Sequence, residues 1–199
     1  VVVVAAALEK GVYASVDAPA HGGEGACEHV SVRQALAQGC DEVFAVMEAE
    51  VGREAVRTTA EAFGFEEAGL RVPVPVAKST YGPEGATATP LQMARVMAVV
   101  GNGGRQVGPR LVDRVVHADG SVEKPPPATS TGRQAVTPHT AEQLASVLNA
   151  GTLTSSTDKG TWSLALTRGK DGRLLAVAVR TDDAAADATA RTVTGLTAG

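Results

Sequence analysis

Apolar positions recur at helical spacing along the first half of the chain. Residues 1–11 open on Val1-Val2-Val3-Val4-Ala5-Ala6-Ala7-Leu8 and predict a helix ending at Gly11. Residues 12–30 read as loop, least structured at His21-Gly22-Gly23-Glu24-Gly25. Ser31 is a capping residue for a short helix, Val32 to Gln38, which Gly39 breaks. From Asp41, the residues Val43, Phe44, Met47 and Val51 define one apolar helix face, closed by Gly52. Glu54 to Phe63 form a further helix ending at Gly64.

The second half is more broken. Residues 66–88 read as irregular, because prolines and glycines oppose regular pairing. Thr89-Pro90 and Thr137-Pro138 each place a capping hydroxyl before a proline at the first helical position. The first starts a helix that stops at Gly101-Asn102-Gly103-Gly104, the second one that runs to about Asn149. Between them Leu111 to His117 reads as a strand, followed by an Asp119-Gly120 turn. Lys124-Pro125-Pro126-Pro127 is linker-like. Residues 150–160 read as a polar loop, then Thr161–Thr167 and Leu174–Thr181 as strands around a Gly169-Lys170-Asp171-Gly172 turn. Asp182 and Asp183 can cap a last helix, Ala184 to about Leu196. Helices followed by a hairpin and a helix predict a mixed α/β (α+β) protein with an antiparallel sheet.

Composition narrows the functional classes. The 199 residues are 44% hydrophobic, enough to bury a core in one domain. A net charge of -4 leaves no electrostatic footprint for nucleic acid, and aromatics at 3% supply no stacking platform. The longest apolar run, Val1 to Leu8, is far below the ~20 residues of a membrane span, and no signal-peptide pattern is visible. A chain opening inside an apolar stretch without Met reads as a fragment or processed product. Cys27 and Cys40, 13 positions apart, are open to two readings: two buried thiols, or a disulfide in an oxidising compartment. The histidines 21, 29, 117 and 139 are scattered, and no metal or cofactor site is expected. Glycines 101, 103 and 104 lack the Gly-Lys-Ser/Thr of a phosphate loop.

Several stretches together resemble a known family. Thr89-Pro90-Leu91-Gln92-Met93-Ala94, then Gly101-Asn102-Gly103-Gly104, then Pro109-Arg110-Leu111-Val112 are similar to the central helix and following strand of penicillin-binding protein transpeptidase domains. Ser31 to Ala45 resembles the family stretch that ends in Ser-Cys-Asn and continues into a helix. Ala62-Phe63-Gly64-Phe65 and the strands from Trp162 and Leu174 fit the same order. The likeness is strongest to class B enzymes of actinobacterial type and runs over nearly the whole chain. It implies a partial transpeptidase fold, shared with serine β-lactamases, as a single domain over residues 1–199. Residues 1–150 would be mainly helical lobe and loops, and 151–199 the hairpin and last helix of the sheet. The family sheet has five antiparallel strands, of which this chain would hold the last three, leaving an exposed edge. An amino-terminal segment, a second copy or a protein partner would complete it.

The family's chemistry needs three elements. A serine in Ser-x-x-Lys is the nucleophile, a Ser-x-Asn loop supplies a hydroxyl and an amide, and a Lys-Thr-Gly strand recognises the substrate carboxylate. By the resemblance the first lies just upstream of Val1. At the second stand Gly39, Cys40 and Asp41: no hydroxyl, and an anion in place of an amide. The best candidate for the third is Lys159-Gly160-Thr161, which lacks the Thr between Lys and Gly. In the family a full strand and a connection separate this motif from the aromatic strand. Between Lys159 and Trp162 there is no room for both, so either one strand is shortened or Lys159 lies in the turn entering the next strand. Ser156-Thr157-Asp158-Lys159 also spells Ser-x-x-Lys, but composition alone yields about 0.2 such matches, and a loop is a poor place for a nucleophile. No catalytic residue is therefore intact within the chain.

The resemblance thus implies a domain of the cell envelope, outside the cytoplasm, whose parent is commonly membrane-anchored. The expected function is a catalytically inactive binding or scaffold module whose ligands would be a peptidoglycan stem peptide or a β-lactam. The alternative is an active serine DD-transpeptidase or carboxypeptidase with its Ser-x-x-Lys upstream; an unrelated structural domain is the third reading. That location also favours a Cys27–Cys40 disulfide.

Overall fold

The computed structural model describes residues 1–66, 80–82, 85–106, 108, 114–124, 132–149, 151–157, 160–169, 171–182, 188–189, 191–192 and 195. Helix α1 (Val2–Glu9) is apolar all round, and the central Val4, Ala5, Ala6 and Ala7 are buried accordingly. It packs against α3 (Asp41–Val51), α4 (Arg53–Ala62) and α6 (Pro138–Leu148). Glu9, at its end, reaches α6: its Oε1 accepts hydrogen bonds from the Thr137 N–H (2.9 Å) and hydroxyl (2.8 Å).

Local chemistry accounts for the helix limits. α2 (Val32–Gln38) starts in a capping box, in which the Ser31 hydroxyl accepts from the Gln34 N–H and the Gln34 side chain accepts from the Ser31 N–H. α5 (Pro90–Gly101) and α6 begin at Thr89 and Thr137, each accepting a backbone N–H three residues on. On α3, Val43, Met47 and Val51 are buried as the spacing predicts, while Phe44 is half-buried at the margin. The carboxyl end of α4 is finished from a distance. Gln92 Nε2 donates to the Phe63 carbonyl (2.9 Å), and Gln106 Nε2 to that of Ala62 (2.5 Å).

The main sheet is antiparallel, in the order β5 (Leu153–Thr157), β6 (Gly160–Arg168), β7 (Leu174–Thr181). β5 corrects the sequence reading, which made residues 150–160 a loop. Its register runs from Leu153 opposite Leu164 to Thr157 opposite Gly160. One apolar side chain, Leu153, enters the core while Ser155 and Ser156 face solvent, so a polar segment makes an edge strand. β5 ends before Lys159 and β6 begins at Gly160, so no further strand stands between Lys159 and Trp162. β6 is buried along most of its length, with Leu164 and Leu166 in the core; helices α5 and α6 both contact it.

A second correction lies within residues 66–88, where Thr80–Gly82 (β1) pairs with Gly85–Thr87 (β2); positions 67–79 and 83–84 lie outside the described residues. The strand expected from Leu111 is seen at Val115–Val116 (β3), paired with Val122–Glu123 (β4) across the Asp119-Gly120 turn. Residues 111–113 and 125–127, and most of the expected last helix, lie outside the described residues. Among the described residues no helix is long and apolar enough to cross a membrane.

Candidate functional site

The α2–α3 corner is built on one glycine. Gly39 ends α2 at φ +74°, the left-handed region, and its N–H donates to the Ala35 carbonyl (2.9 Å). The Cys40 N–H donates to the same carbonyl (3.1 Å). Cys40 then occupies the cap position of α3, without a side-chain capping hydrogen bond, and Asp41 is the first residue of the helix rather than its cap. Asp41 and Glu42 bring two carboxylates to the positive end of the α3 dipole.

This corner lies against the sheet. A Cβ on Gly39 would stand 3.4 Å from the Thr154 carbonyl of β5. Beyond it β5 presents Ser155 and Ser156, and the Ser156 hydroxyl lies 3.1 Å from that of Thr161 on β6. Thr161 is buried, and Gly160 has φ +122°, where a side chain would run into the Thr181 carbonyl. Lys159 lies outside the described residues. Ser156 is a strand residue and not in a loop, which corrects that expectation.

Cys40 is joined to Cys27 in a disulfide, with Cα atoms 5.9 Å apart, so neither sulfur is a nucleophile in this state. The corner thus has a carboxylate that accepts hydrogen bonds, a backbone glycine and no hydroxyl of its own.

The histidines stand elsewhere. His21 meets Glu50 (2.7 Å), His29 meets Glu28 (3.2 Å), His117 meets Glu123 (3.3 Å) and His139 meets Gln143 (2.8 Å), all at the surface. Among the described residues no group of three or more His, Cys, Asp or Glu could hold a metal ion. Sequence reading missed the hydroxyl-bearing β5 beside the corner. The signal available was the β-branched Thr152, Thr154 and Thr157 placed around the apolar Leu153. It also missed Glu50, whose carboxylate the His21 hydrogen bond holds below its ordinary value, with the Tyr13 hydroxyl adding to the effect.

The described fold is a helical lobe whose α2–α3 corner abuts the edge of an antiparallel sheet. The penicillin-binding protein transpeptidase domain model matches residues 1–165, and the chain belongs to that family. Peptidoglycan D,D-transpeptidase PbpA of Mycobacterium tuberculosis is 31% identical over 139 residues, covering 60% of this chain and 27% of that protein. PbpA of Mycolicibacterium smegmatis is 29% identical over 136 residues, with 61% and 27% covered. The crystal structure of PBPA from M. tuberculosis superposes with TM-score 0.76 at 22% identity, over 98% of this chain and 60% of that one. Its imipenem acyl-enzyme complex gives TM-score 0.73 at 23% identity, with 98% and 58% covered. The chain spans about a quarter of the length of the curated relatives it matches.

Proposed function

We propose that this domain is a catalytically inactive, penicillin-binding-protein-like module that binds or scaffolds peptidoglycan synthesis in the cell envelope, outside the cytoplasm. The observation that carries this reading is Gly39. We take Gly39, Cys40 and Asp41 as the Ser-x-Asn position and Lys159, Gly160 and Thr161 as a degenerate Lys-Thr-Gly. A corner whose backbone is left-handed suits glycine and disfavours the serine that acyl transfer needs. Asp41 adds repulsion toward the carboxylate of a stem peptide or β-lactam. The relatives named above are D,D-transpeptidases, and one forms an acyl-enzyme with imipenem. The corresponding ligands here are a peptidoglycan stem peptide and β-lactams. Among the described residues β7 pairs with β6 alone, and in this reading its other edge is closed by a further strand from a preceding segment, a second copy or a protein partner.

The second reading is an active serine DD-transpeptidase or carboxypeptidase with Ser-x-x-Lys before Val1. It is favoured by the corner's position directly against β5. Incubation of the native-length protein with a stem peptide ending in D-Ala-D-Ala separates the two. The module reading expects retention of the peptide in equilibrium dialysis without release of D-alanine. Catalytic release of D-alanine overturns it.

A further inference from the structure

Residues 20–30 form a loop whose ends are pinned by the Ala20 N–H to Val30 carbonyl bond (2.9 Å) and the Pro19–Ser31 bridge. The loop lies along α3 as a strap, and its contacts run down that helix in order. At the carboxyl end, Glu50 accepts from the Tyr13 hydroxyl (3.0 Å) and meets His21 Nδ1 (2.7 Å). One step along, Gly22 sits so close to Val46 that any Cβ there would collide with the valine. A Cβ on Gly23 would lie 3.3 Å from the Val43 side chain. At the amino end, Cys27 is bonded to Cys40. Positions 50, 46, 43 and 40 follow helical spacing, so one face of α3 carries the whole strap.

The two ends of that attachment differ. α2, α5 and α6 each begin with a side-chain cap, whereas α3 begins at Cys40 with none. Its first turn is held by packing and by the disulfide. Cys40 is buried at 1% exposure, while Cys27 is half-buried, next to the exposed Gly25 and Ala26.

We propose that the 20–30 strap is a redox-released clasp on the α2–α3 corner. A dithiol reductant opens Cys27–Cys40 and thereby loosens the seating of Gly39 and Asp41 against β5. The donor thiolate attacks the more accessible Cys27 sulfur, and Cys40 leaves as a thiolate and takes a proton. The second donor thiol displaces Cys27, which also takes a proton. Two electrons and two protons pass to the protein, and the donor becomes a disulfide. The strap then stays attached by the Glu50 hydrogen bonds, the glycine contacts and its pinned, buried end at Val30, and α3 loses the covalent tie at its uncapped end. The importance of this motion for ligand binding rests on the reading of the corner given above; the motion itself does not.

Amide hydrogen exchange on the oxidised and dithiothreitol-reduced protein tests the clasp without any ligand. Reduction is expected to speed exchange by about tenfold or more at residues 22–28, Cys40 and Phe44 to Met47, leaving α5 unchanged. Unchanged exchange at Cys40 and Phe44 to Met47 overturns the proposal. An equal rise across α5 also overturns it, since the disulfide would then be a global staple. A second variant keeps the disulfide and removes the glycine seat. Oxidised Gly22→Ala is expected to free the strap amides and leave the corner protected. Loosening of the corner in that variant would mean that packing, and not the covalent tie, holds it.

Discussion

Gly39 is the residue on which the proposed inactivity turns. In that reading it stands at the Ser-x-Asn position, and its left-handed backbone at the end of α2 suits glycine rather than serine. Gly39→Ser places a side chain at positive φ and is expected to cost about 1 kcal/mol, lowering Tm by about 2–4 °C. A serine variant as stable as the parent would show that the corner is free to adopt another backbone. Glu50 makes a separate prediction. Its carboxyl is held below the ordinary value by the His21 hydrogen bond first and the Tyr13 hydroxyl after it. A depressed folded value means stability that is present above the unfolded value and lost as pH falls through the folded one. Tm should therefore fall from about pH 6 to about pH 3 more steeply in the parent than in Glu50→Gln. Equal slopes would remove Glu50 from the strap's fastening. Residue chemistry was legible in the sequence where partners are near: Ser31, Thr89 and Thr137 cap helices a few positions on. It was not legible for Glu9 with Thr137, Gln106 with Ala62 or His21 with Glu50, because nothing local marks a partner that only folding brings close.

Helices were easier to read than strands, and the reason is physical. α3 and α4 announce themselves by buried residues at helical spacing and glycine ends. β5 hides because an edge strand needs only one side chain in the core, here Leu153, and gives the rest to solvent or to hydroxyl contacts. β1 and β2 hide among prolines and glycines whose positions a short ribbon tolerates. β7 is the opposite case, an apolar strand legible from Leu174 to Val179. Among the described residues it pairs with β6 alone. An unpaired apolar edge is a template for another strand. The isolated 20.2 kDa chain is expected to associate, with a light-scattering mass above the monomer. A monodisperse monomer at high concentration would contradict the proposed closure of β7.

At the scale of the molecule, a buried apolar helix α1 gathers α3, α4 and α6, and the α2–α3 corner is delivered to the edge of a three-stranded sheet. That arrangement is the family's fold, and in the sequence the resemblance to it was carried chiefly by the central stretch from Thr89-Pro90 to Gly104. The proposed loss of activity rests on the corner, where Gly39 and Asp41 are read as departures from the family's Ser-x-Asn. The most direct test is intact mass spectrometry after exposure to penicillin G, on this chain and on a version extended upstream in its native sequence. The account predicts no covalent adduct on either. An adduct on the extended version alone would contradict it, because a live nucleophile would then be tolerating Gly39 and Asp41.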